Sequence, residues 1–300
     1  METPNPEIGI LLLGLAVISV LLSLLDSHQG SPLVGIINRW IRWFLISLGA
    51  GYAMTYFGLS SRPLWALCTM AFLLWFLLET AYNWLVISAV SRSDIPLFPR
   101  FRANTEGDEW PAEPRFLKIR EWLRKNGFRK RQSLKADLME GVELRSSVYD
   151  SGDGEVRLQL LFVPLKNGNL SACFIFSSAL DAGRRLITDN VFMPFGGFSP
   201  EKRELDRRPL ARSLAALYRL HRRRLERESD GIETWEAPPE PLDDLNEQQR
   251  ILEKVNTDMG FLLPRYLQEE HGKITSTGRF RIWLELWLLN YLGKTVSTKA

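Results

Sequence analysis

The chain has 300 residues, 45% of them hydrophobic, with 38 Lys and Arg against 35 Asp and Glu for a net charge of +3. Its three histidines (His28, His221, His271) and two cysteines (Cys68, Cys173) exclude a multi-histidine metal site, a disulfide framework and a C-x-x-C metal pattern. The near-neutral charge and ordinary apolar content are averages over an apolar first third and a polar, locally basic remainder.

Three apolar stretches fill the first ninety residues: 8–25, 43–59 and 63–90, the last broken only by Glu79 and Asn83. A helix needs about 20 mostly apolar residues to cross about 30 Å of hydrocarbon. With their flanks, the stretches predict transmembrane spans at about 8–25, 41–59 and 63–84. The leader carries two acids, Glu2 and Glu7, and no Lys or Arg, and Leu25-Asp26-Ser27-His28 is a poor cleavage context. The first span is therefore expected to be a retained helix, not a signal peptide.

Basic residues set the expected orientation. The first loop leads into Arg39 and Arg42, the second has Arg62 alone, and Arg92, Arg100, Arg102, Arg115 and Lys118 follow the third span. Positive-inside reasoning puts the N-terminus outside and the C-terminal region in the cytoplasm. Trp40, Trp43, Trp65 and Trp84 lie near span ends, where indole rings anchor at the headgroups.

Glu79 is the one acid inside a span. A charge there costs about 2.5–3.5 kcal/mol on insertion scales, so it must face protein, water or the headgroups. Tyr82 and Asn83 lie three and four positions on, giving a candidate membrane-embedded polar cluster of Glu79, Tyr82 and Asn83. Three readings compete: hydrogen bonds to Ser47, Tyr52 or Thr55 of the second span, a headgroup position, or an ion or proton relay. Ser19/Ser23 and Ser47/Gly51 are small-xxx-small pairs that allow close helix approach.

Residues 91–114, with Pro96, Pro99, Pro111 and Pro114, read as a linker. Phe116, Ile119, Trp122 and Leu123 then form a helical stripe ending near Gly127. Around it lie Arg115, Lys118, Arg120, Arg124, Lys125, Arg129, Lys130, Arg131 and Lys135, with Glu121 the single acid between 115 and 135. Beside a membrane such a cluster reads first as an anionic-lipid contact, at about 1 kcal/mol per cation near the surface. A solvated helix and, behind it, nucleic-acid binding are the alternatives.

Segments 144–149, 156–163, 170–178 and 185–188 are rich in β-branched and aromatic residues. They are separated by Asp153-Gly154, Asn167-Gly168 and Asp181-Ala182-Gly183, which suit tight turns. The expected fold class is a three-helix transmembrane region plus an α+β cytoplasmic domain built as helix, four-stranded antiparallel meander and helices. Its expected extent is 115–228, with 229–300 a helical extension.

Gly196 and Gly197 sit in a proline-bounded loop that lacks the Lys and spacing of a phosphate-binding loop. Pro209 opens a helix to about Glu228, with Leu210, Leu214, Leu217 and Leu225 as its stripe. His221 lies within that stripe as a core histidine or, less favoured, a functional one. Glu233, Glu236, Glu240, Asp243 and Asp244 lead an acidic helix that could face the basic ones. Residues 279–293 form a helix with Phe280, Trp283, Leu284, Trp287, Leu288 and Tyr291 on one face, suited to a membrane surface or to core packing.

No catalytic, cofactor or metal signature stands out. The expectation is a non-enzymatic membrane-anchored protein of a bacterial inner membrane, whose cytoplasmic domain binds a partner or senses lipid. Its partners would be the bilayer, anionic headgroups and a second copy or another membrane protein. Two alternatives stand: an enzyme with a site near His221 and the Gly196-Gly197 loop, and an oligomeric transporter or channel subunit using Glu79.

Overall fold

A computed structural model describes residues 6–106, 110–111, 113–164, 170–180, 183–228, 240–296 and 298–299. The leader's Glu2, the linker's Gly107, Asp108 and Glu109, the turn residues Asn167, Gly168, Asp181 and Ala182, and the acids Glu233 and Glu236 lie outside them. The chain divides into two compact units: Met1–Ala89 with Leu286–Gly293, and Val90–Glu285 with Lys294–Ala300.

The first unit holds α1 (Pro6–Gln29), α2 (Pro32–Tyr56) and most of α3 (Leu64–Arg92). All three are candidate membrane-spanning helices, as expected of a multi-pass membrane protein. Gly30, at φ +55°, ends α1, and Pro32 at the first turn starts α2 at once. Only Gly30 and Ser31 therefore separate the two helices. The expected first loop is absent, and Arg39 and Arg42 lie inside α2. The sequence reading put this start nine residues later because Asn38 and two arginines dilute the apolar run.

Both small-residue pairs lie at helix contacts. Ser19 Oγ donates to Asn38 Oδ1 (2.8 Å), and Asn38 Nδ2 donates to Ser23 Oγ (2.8 Å), joining α1 to α2. Ser47 Oγ donates to the Cys68 carbonyl (2.7 Å), joining α2 to α3. A Cβ on Gly51 would stand 3.1 Å from the Cys68 backbone nitrogen, so this crossing requires a residue without a side chain.

The second unit is built on a seven-stranded mixed sheet. Its strands are β1 (Arg102–Ala103), β2 (Arg129–Met139), β3 (Val142–Asp150), β4 (Arg157–Pro164), β5 (Leu170–Ala179), β6 (Arg185–Asp189) and β8 (Arg203–Arg207), in that order. Every neighbouring pair is antiparallel except β6 and β8. The expected meander is β3 to β6, and three further strands extend it. A separate ladder pairs β7 (Phe198–Ser199) with β9 (Thr298–Lys299).

Helices cover both sheet faces. On one, Phe116 and Leu123 of α4 (Pro114–Lys125) and Leu214, Leu217 and Leu225 of α5 (Leu214–Arg227) pack on Leu158, Leu160, Phe174 and Phe176. On the other, Leu242 and Leu245 of α6 (Pro241–Asp258) pack on Leu134, Ala136 and Val148. The acidic helix thus lies across the sheet from both basic ones, and the expected apposition of helix faces does not occur. Asp244 instead pairs with strand arginines: Arg157 (3.2 Å), which also holds Asp150 (2.8 Å), and Arg185 (2.9 Å). Arg157 is 1% exposed, and removing one partner from such a buried network costs about 3–5 kcal/mol. The short α7 (Gln268–His271) precedes α8 (Ser276–Leu292), whose last residues from Leu286 onward belong to the first unit.

Candidate functional site

The cations singled out in the sequence divide between a helix and a strand. Arg115, Lys118, Arg120, Arg124 and Lys125 belong to α4, whereas Arg129, Lys130, Arg131 and Lys135 belong to β2. Arg115, Arg131 and Lys135 pair with neighbouring acids, Arg131 while staying exposed. Arg115 pairs with Glu113 (2.7 Å) and donates to the Leu170 carbonyl (2.6 Å). Arg131 pairs with Asp150 (2.9 Å). Lys135 is buried against Glu106 (2.7 Å) and Glu143 (3.3 Å).

Arg120, Arg124 and Lys130 converge on a cleft of about 570 Å³. Leu117, Arg120, Glu121 and Arg124 follow the i, i+3, i+4, i+7 spacing of one helical face, and all four line it. The opposite wall combines Lys130 with Tyr149, its cross-strand partner, and Trp110, whose Nε1 donates to Tyr149 Oη (3.0 Å).

A β-bulge puts Lys130 there. Lys130 pairs with Tyr149 and Gln132 with Val148, leaving Arg131 as the extra residue. Without the bulge, Lys130 and Gln132 would share a face. With it, Lys130 lies on the α4 side while Gln132 Oε1 accepts from the Leu242 amide at the start of α6 (3.1 Å).

Glu79 lies in the first unit. Its carboxylate accepts from Trp43 Nε1 (2.9 Å) and Tyr291 Oη (2.5 Å) and pairs with Arg39 (3.3 Å). Trp43 packs edge-on against Phe72 (4.8 Å) and Trp287 (5.8 Å), and Trp287 stacks on Tyr291 (4.6 Å). The expected neighbours are elsewhere: Ser47 bonds the Cys68 carbonyl, Thr55 bonds the Gly51 carbonyl (3.1 Å), and Tyr82 is 66% exposed. Asn83 is half-buried. The acid is an interhelical hydrogen-bond centre. Arg39 and Tyr291 were missed because one was read as a loop residue and the other lies 212 positions away.

His221 is completely buried, its ring stacked on Phe176 at 5.8 Å. Ser178 Oγ donates to the Glu155 carbonyl (2.6 Å), so it accepts from Nε2–H of His221 (3.0 Å). Thr188 Oγ1 accepts from Arg224 (2.7 Å), leaving its hydroxyl proton for Nδ1 (3.0 Å). Burial, with the charges of Arg224 and Arg222, holds the imidazole down at about 3. A neutral ring with both nitrogens satisfied and no solvent contact neither accepts nor releases a proton at pH 7. Cys173 is similarly inert, burial pushing its thiol up to about 11.

Three amides around the Gly196-Gly197 pair, those of Phe195, Gly196 and Phe198, are occupied by the protein itself. Glu285 accepts from the Phe195 (3.1 Å) and Gly196 amides. Burial raises its carboxyl above the ordinary range, opposed by those amides and by Arg207. Asn256 receives the Phe198 amide (2.7 Å) and donates to the Phe198 carbonyl (2.9 Å), and Arg281 donates to the Gly196 carbonyl (2.7 Å). Gly196 takes φ +67°, and a Cβ there would stand 2.7 Å from the Ile282 nitrogen.

Among the described residues no group of His, Cys, Asp and Glu could hold a metal ion. No family model, no curated protein and no solved structure matches the chain, so the cleft, its charge and its setting carry the functional argument.

Proposed function

We propose that this is a non-enzymatic membrane-anchored protein whose cytoplasmic α+β domain binds anionic lipid at the membrane that holds it. The observation that carries this reading is the exposed set Lys118, Arg120, Arg124, Lys125, Arg129 and Lys130 on α4 and β2, which follow the third candidate span in the chain. Each cation close to a negative leaflet adds about 1 kcal/mol. The orientation rests on the same charges: Arg62 is the only cation between α2 and α3, against the many that follow α3. An enzyme centred on His221 is less well supported, because that ring is sealed and neutral.

Photoactivatable phosphatidylglycerol in nanodiscs holding the full chain tests the proposal. The peptide covering residues 114–135 should be labelled, and less so at 1 M salt, where the Debye length falls to about 3 Å. Labelling no greater than with photoactivatable phosphatidylcholine would refute it.

A further inference from the structure

Between α6 and α8, residues 263–273 make a closed loop whose base is buried and whose tip is not. Leu262 and Ile274, both buried, form an antiparallel bridge at the base, and the Leu263 amide donates to the Lys273 carbonyl (2.9 Å). Within the loop, Gln268 Nε2 donates to the Leu263 carbonyl (2.8 Å) and the Leu267 amide to the Pro264 carbonyl (2.9 Å). A surface loop with its ends together and its own internal bracing has the form of an Ω-loop, a class that is frequently functional. Its tip is a 3₁₀ turn, Arg265–Leu267, and there Tyr266 is 83% and Leu267 38% exposed.

The loop is tied to the exit of the third candidate span. The apolar run of α3 reaches Val90, and one residue later the Ser91 carbonyl accepts from the Lys273 amide (2.7 Å). Lys273 Nζ donates to the Ile95 carbonyl four residues further on (3.1 Å). Gly272 takes φ +81°, and a Cβ there would stand 2.7 Å from the Ser91 carbonyl oxygen, so this contact requires glycine. The tie leaves Tyr266 and Leu267 uncovered on a loop held to the last turn of a membrane-spanning candidate. Tyrosine is enriched where a bilayer meets water, because its ring suits the headgroup layer and its hydroxyl stays wet. Arg265 pairs with Glu253 (2.9 Å), and Glu269 and Glu270 balance the loop's remaining cations. Any attraction at this tip is therefore apolar, not electrostatic.

We infer that the 263–273 loop is an anchor in the interfacial layer of the bilayer, with Tyr266 and Leu267 seated among the headgroups and first methylenes beside the third span. The partner is lipid of any headgroup charge, which sets this contact apart from the basic face of α4 and β2. Neither contact rests on the other. A second copy of the chain could cover the same two side chains, but the tie to the end of α3 favours lipid.

Tyr266→Cys and, separately, Leu267→Cys can carry a nitrobenzoxadiazole label in the full chain, with Cys68→Ser and the buried Cys173 kept. Both positions are exposed, so the label displaces no core. With one chain per phosphatidylcholine nanodisc, emission at both should be blue-shifted from its value in water and quenched by a nitroxide on the upper acyl chain. The quenching should be equal at 0.1 M and 1 M salt, where the Debye length falls to about 3 Å, and no stronger in phosphatidylglycerol. Leu267→Asp beside the label at position 266 should return the emission towards that of water and relieve most of the quenching.

Water-like, unquenched emission at both positions would overturn the anchor. Quenching that needs phosphatidylglycerol, or that vanishes at 1 M salt, would overturn it too by making the contact electrostatic. A blue shift that escapes the lipid quencher, or that needs two chains per disc, would assign the tip to a second copy instead of lipid. These readouts are separate from the labelling of residues 114–135, so either contact can fail without the other.

Discussion

Glu79 is half-buried and His221 completely buried, and their surroundings give them different tasks. Glu79 accepts from Trp43 and Tyr291 and balances Arg39, so it ties α2, α3 and the end of α8 together. Glu79→Gln keeps an acceptor but leaves Arg39 without its charge partner, at a cost of about 1–3 kcal/mol. Glu79→Leu strands two buried donors as well and should cost about 3–5 kcal/mol, part of it recovered by adding Arg39→Leu. Thermal unfolding of the detergent-solubilised chain ranks the three, and a Leu variant as stable as wild type would contradict the assignment.

His221 makes its prediction through pH. Its folded value, about 3, lies below the ordinary 6.5, so the unfolded state takes up the proton first. The stability it preserves is complete above pH 6.5 and is lost as pH falls towards 3, at up to about 1.4 kcal/mol per pH unit. His221→Gln should be less stable at pH 7.5, with the gap to wild type narrowing as the solution is acidified. Parallel stability curves would show that the ring does not titrate as described.

At the scale of elements, the Gly196-Gly197 loop is a docking joint. Asn256 of α6 and Arg281 and Glu285 of α8 hold its backbone, and Gly196 combines a positive φ with a close backbone approach. Gly260 has a similar φ of +70° but open space around a would-be Cβ. Gly260→Ala should therefore cost about 1 kcal/mol from the backbone alone. Gly196→Ala adds a clash with the Ile282 and Arg281 backbone and should cost several times more. Equal melting temperatures for the two variants would contradict the difference.

The same scale shows what was legible in the sequence. The strands β3 to β6 are legible because they are rich in β-branched and aromatic residues and put Leu158, Leu160, Phe162, Phe174 and Phe176 on one face, and the three apolar helices declare themselves by length. The strand β2 begins Arg129-Lys130-Arg131-Gln132, so its cations read as the flank of a helix. The edge strand β8, Arg203-Glu204-Leu205-Asp206-Arg207, has one apolar residue and pairs parallel with β6, a match that no local pattern reveals. In α8 the aromatic stripe drew attention, yet Phe280 is 52% exposed while Glu285 and Leu289 are each 1% exposed. A buried carboxylate satisfied by loop amides is invisible to a hydrophobicity pattern. The cleft was half visible: its α4 cations were noted, but Lys130 needed the bulge, and Trp110 and Tyr149 needed the sheet.

The molecule as a whole carries three candidate membrane-spanning helices and an α+β unit with a basic face. The proposed function requires this face to rest on anionic lipid by electrostatic attraction. A fluorophore on Lys125→Cys, with Cys68 replaced by Ser and the inert Cys173 left in place, reports the approach of α4 to a quencher carried on lipid headgroups. The full chain in nanodiscs containing phosphatidylglycerol should show strong quenching at 0.1 M salt, relieved at 1 M as the Debye length shortens from about 10 to about 3 Å. In phosphatidylcholine nanodiscs quenching should be weak at both. Equal, salt-insensitive quenching in the two lipids would contradict the claim.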